Sequence, residues 1–131
     1  MDEVLLIRVA GVGLLLIVVA NFLVSDVFRY RENLAICDRF FGQIFRVHAA
    51  YIIYTVAGMG VLCLWRPRFF LDTVEGKAIA GFIAVFWGVR VFLQFLYYDR
   101  EITRRYPLWN VFFAVAFGAL GVFFLYLCFW R

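Results

Sequence analysis

A single histidine, His48, and three cysteines, Cys37, Cys63 and Cys128, are all that this 131-residue chain offers in strong metal ligands. The thiols are odd in number and no two stand as Cys-x-x-Cys, so they build neither a disulfide framework nor a zinc site. A bis-histidine haem needs a second histidine, and a di-iron site needs more nitrogen and carboxylate ligands. The expectation is a protein with no metal and no cofactor. Charge is scarce too: 13 Lys/Arg and 9 Asp/Glu make up 17% of the chain, which excludes a disordered or coiled-coil protein. The net charge of +4 comes from basic residues at the ends of apolar runs. That is where membrane proteins keep their anchors, and no nucleic-acid partner is expected. A nucleophile elbow and a phosphate loop are missing as well, and no catalytic residue is assigned.

What the chain does contain is apolar. Hydrophobic residues make up 66%, with 17 Phe, 7 Tyr and 4 Trp, and the mean hydropathy is +0.92. A soluble domain carries roughly 45–50% apolar residues, so one small core cannot absorb the excess. The chain is an integral membrane protein. A hydrocarbon core about 30 Å thick needs roughly 20 apolar residues of helix, and four runs meet that length: 4–24, 47–65, 78–98 and 108–130. Membrane strands would alternate over about 10 residues, and nothing here does. The first run does not read as a typical signal peptide, because Met1-Asp2-Glu3 is acidic and Arg8 interrupts the apolar stretch. The predicted fold is all-α: four transmembrane helices in an antiparallel bundle, forming one domain.

The connections carry their own punctuation. Arg66-Pro67 stops the second helix, since proline cannot continue the ladder. Asp72 followed by Glu75 reads as a capping box opening the third, and Pro107 suits the first position of the fourth. The longest connection, between spans one and two, is periodic. Tyr30, Leu34, Cys37, Phe41, Phe45 and His48 recur at steps of three and four, with Glu32, Arg39, Gln43 and Arg46 opposite. This predicts an amphipathic interfacial helix over 30–48 that runs into the second span.

Orientation follows from the basic residues. Arg29, Arg31, Arg39, Arg46, Arg100, Arg104 and Arg105 fall on the side of the first and third connections; Arg66, Arg68, Lys77 and Arg131 fall opposite, with Arg8 close by. The positive-inside rule then puts both termini outside, in a multi-pass protein expected in a bacterial inner membrane.

Polar residues are costly in hydrocarbon, so their depth is informative. Asn21 and Asp26 end the first helix, and His48, Tyr51 and Tyr54 begin the second. Arg90, Gln94, Tyr97 and Tyr98 occupy the later half of the third, and Asn110 begins the fourth. All fall in one leaflet, and the spans contain no Asp or Glu that could serve a proton relay. Arg90 is the deepest charge, eight residues or about 12 Å before Tyr98. Trp87, Arg90 and Gln94 follow at helical spacing, making one face of the third helix polar. The candidate ligand- or partner-binding residues are therefore Arg90, Gln94, Trp87, Asn21, His48, Tyr51 and Asn110. Arg90 serves either as a site for an anion, a polar lipophile or a partner's carboxylate, or as an internal staple. Arg8, within a turn of its helix start, reads as a snorkelling anchor, and Cys63 and Cys128 as apolar filler. Gly11, Gly58, Ala80, Ala84, Ala114, Gly118 and Gly121 supply faces for close helix approach.

Two functional classes fit these residues. One is a small non-catalytic membrane subunit or assembly factor that packs on a larger membrane protein or on copies of itself. The other is a module that binds a membrane lipid or lipophilic ligand in the polar leaflet, centred on Arg90 and with enzymatic chemistry open to it. A transporter or channel is the weakest reading, because one deep arginine is a poor ion path.

Overall fold

A computed structural model describes residues 2–97 and 104–130. Met1, Tyr98, Arg100 and Arg131, used above for charge and span limits, lie outside the described residues. The described chain is helical: α1 (Glu3–Val27), α2 (Tyr30–Ile36), α3 (Arg39–Trp65), α4 (Phe69–Asp72), α5 (Val74–Leu96) and α6 (Pro107–Phe129). Four of these, α1, α3, α5 and α6, are long and apolar enough to cross a membrane. Valine and isoleucine are ordinary helix formers at best. In lipid, however, a spanning segment must satisfy every backbone group internally, and the helix does so.

The chain divides into two compact units, Met1–Pro67 and Arg68–Arg131. In the first, α1 and α3 form a hairpin. Ile7, Gly11, Leu14, Ile17 and Val24 of α1 are buried, as are Val56, Met59, Gly60 and Cys63 of α3. Steps of three, four and seven place each set on one stripe. At the hairpin's tightest point a Cβ on Gly11 would stand 3.0 Å from the Gly60 carbonyl oxygen, and one on Gly60 would stand 3.1 Å from that of Gly11. Leu5, Val12, Leu16, Val19 and Leu23 point outward, as lipid-facing residues must.

The second unit is also a hairpin, and its direction is fixed by contacts at both ends. Near one end Gly81 faces the Cys128 sulfur; near the other Gln94 bonds to Asn110. Helices α5 and α6 are therefore antiparallel. Between them Ala80, Ile83, Ala84 and Trp87 pack in a buried seam with Phe117, Leu120, Phe124 and Leu127. The short α4 closes one end, with Phe70 fully buried and its ring edge-on to Phe124 at 5.9 Å.

Several sequence expectations hold in detail. Helix α3 ends at Trp65 with Arg66 as its cap before Pro67, and Pro107 opens α6. Others are corrected. The stretch 30–48 is not one helix: α2 stops at Ile36, Cys37 is extended, and α3 begins at Arg39 and runs on into the span. The cause is Asp38, whose carboxylate accepts from the amides of Phe40 (2.9 Å) and Phe41 (3.4 Å) and so starts a new helix. Tyr30 of α2 still reaches α3, edge-on to Phe45 at 5.6 Å. The cap of α5 is Thr73 rather than Asp72, its hydroxyl accepting from the Gly76 amide at 2.9 Å. The chain leaves α1 through Arg29 in the left-handed region (φ 55°), where an exposed ion pair with Glu32 accompanies the turn. Within their own hairpins Gly58 and Gly118 are not packing positions, since a Cβ on either would meet no neighbouring atom.

Candidate functional site

Four polar residues of the first unit turn back on their own helices. Asn21 donates its side-chain amide to the Ile17 carbonyl (2.8 Å), Ser25 bonds to Phe22 and Thr55 to Tyr51. His48 lies 2.9 Å through Nδ1 from the Ile44 carbonyl. A carbonyl only accepts, so this bond requires a proton on Nδ1. The His48 side chain is exposed, and Tyr51 points away from the hairpin. Asn21, His48 and Tyr51 therefore form no constellation within their unit.

The second unit brings Trp87, Arg90, Gln94 and Asn110 together. Positions 87, 90 and 94 share one face of α5, and Asn110 stands in the first turn of α6, opposite Gln94. The Gln94 Nε2 group donates to both the backbone oxygen (2.8 Å) and Oδ1 (2.7 Å) of Asn110. Because the backbone oxygen can only accept, the orientation of the Gln94 amide is fixed, and its Oε1 must face elsewhere. That atom is buried and makes no hydrogen bond, and the same is true of Trp87 Nε1. One buried acceptor and one buried donor, seven residues apart on a single helix face, are left unsatisfied.

An aromatic column holds this face. Trp109, Phe113 and Phe117 lie four residues apart on α6, with ring centroids 5.9 and 5.4 Å apart in stacked geometry. Trp87 extends the stack from α5, 4.9 Å from Phe117. The Arg90 guanidinium lies 5.2 Å from the Phe117 centroid, a cation–π contact worth roughly 2 kcal/mol when desolvated. Arg90 is half-buried and sits six residues, about 9 Å, inside the end of α5. The stack orients a cation at a depth where a flexible lysine would have no comparable hold.

Residues 87, 90, 94 and 110 are legible from spacing and depth. The aromatic column is not, because its members are three among 17 phenylalanines and 4 tryptophans; the 109/113/117 spacing is the available signal. Chemically the strip offers a cation, an N–H donor and a carbonyl acceptor. It contains no nucleophile and no general base. Among the described residues no group of three His, Cys, Asp or Glu could hold a metal ion, and all three cysteines are free thiols. No protein family, characterised protein or solved structure matches the chain.

Proposed function

We propose that the chain is a small non-catalytic membrane subunit or accessory factor that packs, within the bilayer, against a larger integral membrane protein through the Trp87–Arg90–Gln94 strip of α5. The observation that carries this reading is the pair of unsatisfied buried atoms, Trp87 Nε1 and Gln94 Oε1. Each such group left unpaired costs several kcal/mol. Both are closed off in the α5–α6 seam, so a partner helix presenting one acceptor and one donor removes that cost by loosening the seam beside Arg90 as it docks. The half-buried Arg90 lies between them on the same face and is where the strip opens to its surroundings. In the first hairpin Asn21, Ser25, His48 and Thr55 close on their own backbone.

Purification in mild detergent, read by mass spectrometry, tests this. The wild-type chain is expected to carry a second membrane protein. Arg90→Lys and Arg90→Leu are both expected to cut its retention about tenfold, since a hydrogen bond to a charged group is worth roughly 1.5–3 kcal/mol. Trp87→Phe and Gln94→Leu should act in the same direction, whereas Arg8→Lys, at an exposed helix start, should have no effect. Full retention in well-inserted Arg90→Leu protein rejects the strip as the docking face. Copurification of a lipid alone would favour the ligand-binding alternative at the same residues, and of a second copy alone a homo-oligomer.

The same proposal places the chain in a bacterial inner membrane with both termini extracytoplasmic, supported by the excess of arginine in the first and third connections. Reporters fused to the two ends should both be found outside. Two cytoplasmic reporters would reverse the orientation, and reporters on opposite sides would overturn the four-span topology.

A further inference from the structure

We infer that the cleft between α2 and the first turns of α3 binds the phosphate headgroup of an anionic lipid. The break at Asp38 creates this cleft. Had 30–48 been one straight helix, Leu34 and Ala35 could not face residues further along it. Because α3 restarts at Arg39, Leu34, Ala35 and Cys37 line one side and Arg39, Gly42, Gln43 and Arg46 the other, around about 340 Å³. That volume is at the lower end of the roughly 300–1,000 Å³ typical of small-ligand sites.

The lining has the chemistry of a headgroup site. Arg39, Gln43 and Arg46 lie four and three residues apart, on one flank of α3. Among the described residues neither guanidinium is paired with a carboxylate. The acids of this segment are engaged: Glu32 with Arg29, and Asp38 with the amides of Phe40 and Phe41. Two forked donors and an amide can therefore converge on phosphate oxygens. The other lining residues, Leu34, Ala35 and Gly42, are apolar or bare backbone, and a Cβ on Gly42 would lie 3.7 Å from the Leu34 carbonyl oxygen. Depth selects a lipid over a soluble anion. The apolar span starts at Val47, directly after Arg46, so the cleft lies at headgroup level, where phosphate is concentrated. This site is separate from the α5 strip and does not depend on the function proposed for it.

Cys37, exposed and free in the cleft, is a built-in reporter. The full chain is placed in phosphatidylcholine vesicles with or without phosphatidylglycerol, and alkylation of Cys37 by a neutral maleimide is followed by peptide mass spectrometry. Phosphatidylglycerol is expected to slow Cys37 roughly tenfold, in line with the attraction of two basic residues to an anionic surface. The buried Cys63 reports that the fold is unchanged. Arg39→Gln/Arg46→Gln should abolish the specific protection, leaving the general slowing that a negative surface imposes on thiolates. Arg31→Gln/Arg104→Gln, which removes equal charge outside the cleft, should retain it. Equal rates for the wild-type chain in the two vesicles would overturn the proposal. Equal loss in both double variants would reduce the effect to diffuse attraction and overturn it too. Protection by inorganic phosphate in pure phosphatidylcholine, matching that by phosphatidylglycerol, would make this a soluble-anion site instead.

Discussion

Gly76→Ala should unfold the corner between α4 and α5 at a cost of roughly 3 kcal/mol or more. Thr73 organises this corner with one hydroxyl, which donates to the Phe69 carbonyl at 2.7 Å and accepts from the Gly76 amide at 2.9 Å. The arrangement draws Phe69 onto Gly76. A Cβ at 76 would stand 1.9 Å from the Phe69 oxygen, 2.6 Å from its carbonyl carbon and 2.8 Å from Thr73 Oγ1. Two of these three atoms are backbone and cannot swing aside. No glycine in the described chain has positive φ, so space rather than conformation demands glycine here. Thr73→Val should cost only the cap, about 1 kcal/mol. Gly118→Ala, with nothing within 4 Å of the new methyl, should be neutral or stabilise by up to about 1 kcal/mol through helix propensity. Thermal unfolding of the detergent-solubilised chain checks all three, and a Gly76→Ala protein that melts like wild type would reject the close approach.

This corner also shows what can be read from the sequence and what cannot. The spans are legible because apolar length is the whole signal, and helices α1, α3, α5 and α6 contain the predicted runs almost completely. Polar starts are harder. Asp72 and Thr73 are adjacent and both are capping residues; the hydroxyl wins because it can donate to Phe69 while accepting from Gly76, which a carboxylate cannot do. Asp38 is hidden by the apolar period that continues on either side of it. A local side-chain bond to two amides nevertheless outweighs that pattern where the helix lies outside the hydrocarbon.

In the candidate site, helical spacing alone puts Trp87, Arg90 and Gln94 on one face. Their pairing with Asn110 depends on the register of α5 against α6, which composition does not encode. Small residues illustrate the same limit. The sequence pattern marks Gly11 and passes over Gly60, and it marks Gly58 although that residue faces away from the hairpin. In a span this rich in glycine, only the partner's position separates a packing glycine from an incidental one.

The Gly11–Gly60 crossing should accordingly be the most sensitive point of the first hairpin. A Cβ at Gly11 would lie 2.9 Å from Cys63 Cβ, 3.0 Å from the Gly60 oxygen and 3.1 Å from Leu64 Cγ. Alanine therefore needs small shifts of two helices, and leucine needs their separation. Gly11→Leu is expected to lose roughly 3 kcal/mol or more of hairpin stability, because Ile7 and Leu14, fully buried one turn away on either side, lose their contacts as well. Gly13→Leu, where a Cβ meets nothing within 4 Å, should change little. Alkylation by a small neutral reagent gives a local readout, since Cys63 is fully buried in this hairpin and Cys128 lies against Gly81 in the other. Gly11→Leu should make Cys63 reactive while leaving the Cys128 rate near wild type. Gly76→Ala should do the reverse. Each compact unit has its own seam, so each thiol is expected to report on its own hairpin; exposure of both thiols by either substitution would reject this prediction.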